Sequence, residues 1–249
     1  MNGKHMGWLA ACTLVCLAVG PAAWGQRDRP LINEFVANHT GTDTHEFVEI
    51  FGAPNTDYSP WTVLEVEGDG AGAGTIDGAW PVGTTNAGGF WTTGFLSNEI
   101  ENGTMSLLLV EDFFGNVGDD LDTDNNGALN SIPWASGDDC VAVTDGDAGD
   151  LTYCAVVLTP NYDGLSPYHP GGASRIPNGT DTNSVGDWVR NDFDGAGLAS
   201  FVGTPDAGEA LNTPGAVNQL VPEPCTAGLM IAGTLLCGVR RRRRRGASR

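Results

Sequence analysis

Apolar and polar positions alternate with a period of two in several short stretches of this chain, and helix-period stripes are absent from its middle. The alternation is clear at residues 46–50 (EFVEI) and again at residues 62–67 (TVLEVE). This period is typical of a strand with one buried face and one wet face, so we expect Glu65 and Glu67 to be solvated. Many short strands with turn residues between them favour a sandwich or a barrel.

The same pattern predicts nine strands in all. They lie near residues 31–37, 46–51, 61–67, 74–80, 89–93, 106–111, 140–144, 152–159 and 187–190. The chain has 36 glycines, which suit the tight turns between such strands. Two long intervals rich in Asp and Gly, residues 115–137 and 161–186, are predicted to be surface loops. The predicted fold class is therefore all-β with long acidic loops.

The two ends of the chain have a different composition. Residues 1–25 have the layout of a signal peptide, with a polar start at Lys4, an apolar core at residues 7–20 and a small-residue site before Gln26. The apolar core is shorter than the roughly 20 residues that span a membrane. We therefore expect cleavage before Gln26.

At the other end, an apolar run at residues 225–239 is followed by six arginines at residues 240–245. As a helix the run would measure roughly 22 Å, short of a hydrocarbon core of about 30 Å. A basic block can bind nucleic acid, but directly after an apolar run it is typical of the cytoplasmic end of a membrane segment. The sequence thus predicts a short C-terminal membrane helix, with residues 26–224 outside.

The charge of this exported part limits its partners. All 31 acidic residues of the chain lie between Gln26 and Pro224, with only four basic residues among them. Because binding of phosphates needs Lys and Arg along the contact surface, we expect no nucleic acid partner and no anionic lipid partner. Calcium, neutral glycans and basic partners remain compatible with this charge.

Two cysteines of the exported part, Cys140 and Cys154, flank a turn at residues 145–150. If the flanking segments pair as a hairpin centred near Asp147, the two cysteines lie opposite each other. Their Cα atoms would then be about 4.5 to 5.5 Å apart, within disulfide range, in an oxidising compartment. We predict a disulfide, and the alternative is a pair of reduced core cysteines.

An Asp-rich stretch is the best candidate for metal chemistry. Asp122, Asp124 and Asn126 alternate along the chain and Gly127 follows at the sixth position, as in the first half of a calcium loop. The twelfth position, a glutamate in an EF-hand, is Pro133, so the EF-hand pattern is broken. The prediction is a calcium site at the first three residues. The alternative is a turn in which they bond their own backbone.

No catalytic motif is visible, so we expect no catalytic residues and no enzyme. His39, His45 and His169 lack the spacing of a zinc site and are predicted to be ordinary surface histidines. Trp91 and Trp134 are predicted, like the other tryptophans of the exported part, to lie in the core or at its rim. Because they lie in Gly-rich or acidic stretches, the alternative is that they are exposed sugar-stacking residues.

Several patches of the chain resemble a known family. Residues 31–35 (LINEF), residues 45–50 (HEFVEI) and Trp61 at the next strand are similar to the opening of a lamin-tail domain of exported bacterial proteins. Residues 175–181 (RIPNGTD) and residues 213–218 (TPGAVN) resemble later segments of that family. The resemblance implies an immunoglobulin-like β-sandwich over residues 26–219.

Residues 220–249 resemble a PEP-CTERM sorting signal, because a Pro-Glu-Pro motif, a short apolar helix and an arginine cluster follow one another. The residues that carry the match are Val221, Pro222, Glu223, Pro224, Arg240, Arg241 and Arg242. The resemblance implies recognition by an exosortase-like processing enzyme, removal of the anchor and transfer from the inner membrane to the cell surface or outside.

These features together predict an exported structural or adhesion protein of the cell surface or extracellular space, with envelope glycans or matrix proteins as partners. The first alternative is a calcium-dependent glycan-binding module. The second is a hydrolase that uses carboxylates of the acidic loops.

Overall fold

The computed structural model describes residues 29–222, which form twelve strands and two single turns of 3₁₀ helix at Gly70–Gly72 and Val185–Asp187. The strands are β1 (Leu31–Val36), β2 (Phe47–Phe51), β3 (Trp61–Glu67), β4 (Ile76–Pro81), β5 (Phe90–Thr92), β6 (Met105–Glu111), β7 (Ser136–Val143), β8 (Val157–Leu158), β9 (Gly172–Arg175), β10 (Trp188–Arg190), β11 (Ala210–Leu211) and β12 (Gln219–Leu220). The predicted all-β class is confirmed.

The strands form two five-stranded sheets and one separate pair. The first sheet has the order β10-β9-β1-β2-β5, the second has the order β4-β3-β6-β7-β8, and β11 pairs with β12. Every pairing between these strands is antiparallel except that of β7 with β8. The two large sheets share one hydrophobic core, in which Phe35 and Ile50 of the first sheet belong to the same cluster as Leu107 and Val141 of the second.

The expectation of a wet strand face is wrong for β3. Leu64 and Val66 belong to a second apolar cluster together with Leu121, so the outer face of this strand is covered. Glu65, two residues along from the core residue Val63, is completely buried, and Glu67 is half-buried. The backbone N–H of Glu101 donates to Glu65 Oε1 at 2.5 Å, and burial raises the pKa of this carboxyl to about 8, which favours its neutral form. The alternation of apolar and polar residues predicts strand β3, but it does not reveal that other segments of the chain cover its outer face.

Strand β9 lies inside the interval 161–186, which the sequence predicts to be a loop. It pairs with β1 on one side and with β10 on the other. Its residues Gly172–Arg175 (GASR) carry no apolar alternation. Gly172 is required here because a Cβ atom at this position would lie 2.5 Å from the carbonyl oxygen of Phe35. The close approach of two backbones, rather than side-chain hydrophobicity, forms this strand.

Within residues 29–222 there is no helix with the length and apolar character of a membrane span. The predicted signal peptide (1–25) and the predicted membrane helix (225–239) lie outside the described residues.

Candidate functional site

Arg175, at the end of β9, is buried and links the two sheets. Its Nε donates to the carbonyl oxygen of Ile32 at 2.9 Å, and its Nη1 donates to that of Thr180 at 2.7 Å. Its Nη2 lies 2.9 Å from the carboxylate of Asp139 on β7, and its guanidinium lies 4.5 Å from the ring centroid of Trp188. Burial raises the pKa of Asp139 to about 6, although the Arg175 charge acts in the opposite direction. This arginine therefore fixes the segment 175–181 against both sheets.

Two completely buried carboxylates, Glu34 on β1 and Glu49 on β2, bind the segment 213–218. Glu34 accepts hydrogen bonds from the Thr213 backbone N–H at 2.9 Å and from the Thr213 hydroxyl at 3.1 Å. Glu49 accepts one from the Gly215 N–H at 2.6 Å. Carboxylates on neighbouring strands thus satisfy the backbone of a segment that would otherwise lie unpaired on the sheet.

Asn218 completes this attachment. Its side-chain Nδ2 donates to the backbone carbonyls of Asn33 at 3.2 Å and Arg175 at 2.9 Å, and its backbone N–H donates to Asn178 Oδ1 at 3.0 Å. We call residues 213–218, with the residues that bind them, the C-terminal closure. It brings together the separate patches at β1, at β2, at residues 175–181 and at residues 213–218.

The two carboxylates of the closure have unusual acidity. Burial raises the pKa of Glu34 from 4.5 to about 7, against the effect of its hydrogen bonds with Thr213. Burial, together with the charge of Glu34, raises the pKa of Glu49 well above its usual range. Since a low-dielectric surrounding penalises two neighbouring negative charges, the pair retains protons at a pH where exposed carboxyls are ionised.

Strands β11 and β12 lie on either side of residues 213–218, so the chain enters the closure from β11 and leaves it through β12, which pairs back with β11 as a short hairpin. Ala210 pairs with Leu220 and Leu211 pairs with Gln219. Beyond the paired strands, the Val221 N–H donates to the carbonyl oxygen of Glu209 at 2.8 Å, and the Val221 carbonyl accepts from the Gly208 N–H at 2.9 Å. The exposed Pro222 is the next and last described residue. The predicted sorting residues Glu223, Pro224, Arg240, Arg241 and Arg242 lie outside the described part of the chain.

A cavity of about 510 Å³ lies beside this hairpin. We call it the acidic cavity. Tyr168 and Phe193, both exposed, line it together with Arg190, Asp206 and Glu209. The walls combine aromatic surface with carboxylates, which is a composition that suits a hydroxyl-rich or cationic ligand.

The charges at the acidic cavity are unbalanced. Carboxylate oxygens of Asp192, Asp206 and Glu209 lie within 4.8 Å of one another. The cation nearby, Arg190, pairs with Asp163 at 2.9 Å. Burial, with the charges of Asp206 and Asp192, raises the pKa of Glu209 to about 7. Asp206 and Glu209 line the cavity, whereas Asp192 is buried behind them and accepts from the backbone N–H groups of Ala196 and Asp206. The spacing of the three carboxylates is one that could hold a divalent cation.

The structure shows local bonding at the predicted calcium residues. The carboxylate of Asp122 is buried and accepts from the Asn126 N–H at 3.2 Å, the Gly127 N–H at 2.8 Å and the Tyr153 hydroxyl at 3.0 Å. Asp124 accepts from the Asn126 side chain at 2.9 Å. These bonds are those of an Asx-rich turn. Among residues 29–222, the two acidic groups with metal-ligand spacing lie elsewhere, at Asp192, Asp206 and Glu209 and at Asp69, Asp145 and Asp150. Calcium at Asp122, Asp124 and Asn126 stays a prediction.

The predicted disulfide between Cys140 and Cys154 is confirmed, with an S–S distance of 2.10 Å and Cα atoms 5.8 Å apart. The predicted hairpin is wrong, because β8 runs parallel to β7 and Cys154 lies in the loop before β8. After the turn, the N–H of Leu151 donates to Gly68 O and that of Tyr153 donates to Ser106 Oγ. The chain therefore crosses the second sheet before it enters β8.

Three other residues that the sequence singles out, Trp91, Trp134 and His39, contribute to the packing of the fold. Trp91 and Trp134 are half-buried, and each packs against a hydrophobic cluster. His39 is buried, so its prediction as a surface histidine is wrong. Its Nε2 accepts hydrogen bonds from the backbone N–H groups of Thr44 and His45, which explains why a ring nitrogen is needed inside this loop.

Sequence reasoning missed Glu34 and Glu49 as ligands of the closure, although both lie inside motifs that it singled out. It also missed the group Asp192, Asp206 and Glu209, whose spacing in the chain follows no motif. Comparisons with protein-family models, with curated proteins and with solved structures each found no match. Any functional conclusion therefore rests on the residues and their geometry.

Proposed function

We propose that this chain is an exported structural or adhesion protein of the cell surface or extracellular space. Its described part is then an immunoglobulin-like β-sandwich of lamin-tail type, and its C-terminal extension is a PEP-CTERM signal processed by an exosortase-type enzyme. The observation that carries the proposal is the C-terminal closure. It unites the patches on which the resemblance rests, and the hairpin beyond it ends at Val221, where the sorting motif begins.

The bonding of the charged groups supports a structural role. The three arginines of residues 29–222, Arg29, Arg175 and Arg190, each pair with an aspartate, and Glu34 and Glu49 bind backbone groups. In this arrangement the buried charges join segments of the fold. The many remaining exposed carboxylates give a strongly negative surface, which favours solubility and contact with basic partners.

Fractionation of a host that carries the processing enzyme tests this proposal. The full chain is compared with a chain truncated after Pro222, which keeps every hydrogen bond of the closure and of the hairpin. We expect the full chain to pass through the inner membrane and then to reach the surface in a shortened form. The truncated chain should have no membrane-bound stage. Equal distribution of the two proteins would contradict a sorting role for the extension.

A matched variant separates the motif from the anchor. Replacement of Pro222, Glu223 and Pro224 by alanine leaves the apolar run and the arginines in place. We expect this variant to be inserted but not shortened, so that it accumulates in the inner membrane. If it is shortened like the unaltered chain, the Pro-Glu-Pro motif has no part in recognition.

Calcium-dependent glycan binding is a second candidate, and the acidic cavity favours it. Calcium takes several carboxylate oxygens at once, and the exposed ring of Tyr168 offers a face on which a sugar can stack. We expect calcium to raise the melting temperature by mass action and to be needed for binding on a glycan array. The Glu209→Gln variant should lose both effects and Asp122→Asn should keep them, whereas the reverse result would place the calcium at the Asp-rich turn. No response to millimolar calcium in the unaltered protein would remove this candidate.

A further inference from the structure

The residues directly before the sorting motif are held in the β11–β12 hairpin. The N–H and the carbonyl oxygen of Val221 both take part in backbone hydrogen bonds, to Glu209 and from Gly208. Gln219 and Leu220 are paired with Leu211 and Ala210. The backbone of residues 219–221 is therefore paired with strand β11 and the residues before it, up to the residue that precedes Pro222.

An enzyme that binds residues 219–221 as an extended segment would need the same backbone groups. Proteins that recognise an extended peptide commonly bind its backbone N–H and C=O groups as an added strand, with pockets for alternate side chains. In the closed hairpin those groups at Val221 already bond to Glu209 and Gly208. The enzyme and strand β11 therefore compete for one stretch of backbone.

Strand β12 is the weakest part of this C-terminal attachment. It has two exposed residues and pairs with β11, whereas β11 is also bridged to Asn191 through Ala210, whose carbonyl oxygen accepts from the Asp192 N–H at 2.8 Å. Gln219 and Leu220 are exposed, whereas Asn218, the last residue of the closure, is buried. Isolated two-stranded hairpins are marginally stable, and local opening of exposed elements needs far less free energy than global unfolding. Opening can thus proceed from Val221 back to Gln219 and stop at Asn218.

We propose that the β11–β12 hairpin is a gate for processing. In the closed state it withholds residues 219–221 from the enzyme, and in the open state it offers them as an extended segment while the closure holds the rest of the domain folded. This inference rests on the proposed function, since it concerns the access of the sorting enzyme to its motif.

A disulfide across the hairpin tests the gate. Leu211 and Gln219 are paired residues, and opposed positions on antiparallel strands have the Cα spacing that a disulfide requires. We expect the Leu211→Cys/Gln219→Cys variant, with its bond verified by mass spectrometry, to be processed about tenfold more slowly than the Leu211→Ser/Gln219→Ser control, a difference of about 1.4 kcal/mol in access. Equal processing of the bonded variant and the control would overturn the gate.

A loosened hairpin should have the opposite effect. Gly208 has a φ of 89°, so a Gly208→Ala substitution introduces strain at the residue that donates to the Val221 carbonyl. Strain of this kind shifts an opening equilibrium by about fivefold or more. We expect faster amide hydrogen exchange at Val221 and faster processing, with exchange in residues 213–218 unchanged. Exchange as slow as in the unaltered protein would show that this contact does not hold the gate.

A measurement that does not use the sorting enzyme separates the two proposals. The purified full chain in detergent is treated with a protease of broad specificity, and cuts at residues 219–222 are followed by mass spectrometry. The bonded cysteine variant should be cut about tenfold more slowly there than the serine control. If the unaltered chain is not processed in the host, the sorting function fails. If the two variants are cut equally by the added protease, the gate fails whatever happens in the host.

Discussion

The pH dependence of stability should depend strongly on Glu34. Its carboxyl is completely buried, and burial raises its pKa from 4.5 to about 7 in the folded protein. The folded state therefore binds this proton more tightly than the unfolded chain does. The resulting stabilisation is fully present below about pH 4.5 and is lost as the pH rises through 7. At about 1.4 kcal/mol for each pKa unit, the loss between pH 5 and pH 8 is about 2.5 kcal/mol.

The Glu34→Gln variant removes this titration without removing the contacts. Asn191 Nδ2 and the Thr213 N–H both donate to Oε1, which an amide oxygen can replace. The amide nitrogen would then face the Thr213 hydroxyl, which can rotate to accept a hydrogen bond. We expect the variant to be at least as stable as the unaltered protein at pH 8 and its profile to be flatter.

Urea unfolding followed by tryptophan fluorescence, at several values of pH from 5 to 8, measures this effect. Other buried carboxyls titrate in the same direction, including Glu65, whose pKa burial raises to about 8, so the difference between the two proteins is the relevant quantity. The variant also removes the Glu34 charge that helps to raise the pKa of Glu49, so the Glu49 contribution flattens as well. The difference should therefore change by about 2.5 kcal/mol or more across the range. Glu99→Gln, at an exposed position, is the control and should leave the profile unchanged. Parallel profiles for Glu34→Gln and the unaltered protein would refute the assignment of this proton.

Three further changes test other contacts of the fold. Replacement of Cys140 and Cys154 by serine should lower the free energy of unfolding by about 3 kcal/mol, measured in urea, and a loss below about 1 kcal/mol would contradict the chain-entropy argument. Arg175→Lys should cost about 3 kcal/mol or more in thermal unfolding, because lysine cannot reproduce the forked contacts. Asn218→Ala should cost about 2 kcal/mol and speed amide exchange at residues 213–218, whereas unchanged exchange would show that Asn218 does not secure the closure.

The sequence predicts those strands whose own residues show an apolar pattern. Residues of β1, β2, β3 and β6 carry their own apolar pattern, and the structure places strands there. Strand β9 has no such pattern, since it exists because Gly172 lets two backbones approach. This pairing depends on two segments that are far apart in the chain. A short stretch of sequence around β9 therefore carries no signal for it.

The closure shows the same limit at the candidate site. Residues 213–218 stood out as a motif, yet Thr213 and Gly215 meet their carboxylates across 179 and 166 residues of chain. Alternation placed Glu49 on a strand but assigned its polar character to contact with water. What decides its environment is the arrival of N–H donors from the end of the chain. A polar residue inside an apolar strand can therefore indicate a buried partner as well as a wet face.

The closure and the hairpin divide the C-terminal region by function. Residues 213–218 are bound by buried groups of the sheet, so their removal would take from Glu34 the donors of Thr213 and from Glu49 the donor of Gly215. Residues 219–221 pair with residues 208–211 in the hairpin. Their release therefore breaks no hydrogen bond within the two five-stranded sheets. If the C-terminal extension is removed, as we propose, the fold must survive that loss, and it needs this separation between a firm attachment and a weakly paired strand. In our proposal, the residues before Gln219 determine the stability of the exported domain. Residues 219–221 determine how fast the enzyme releases it.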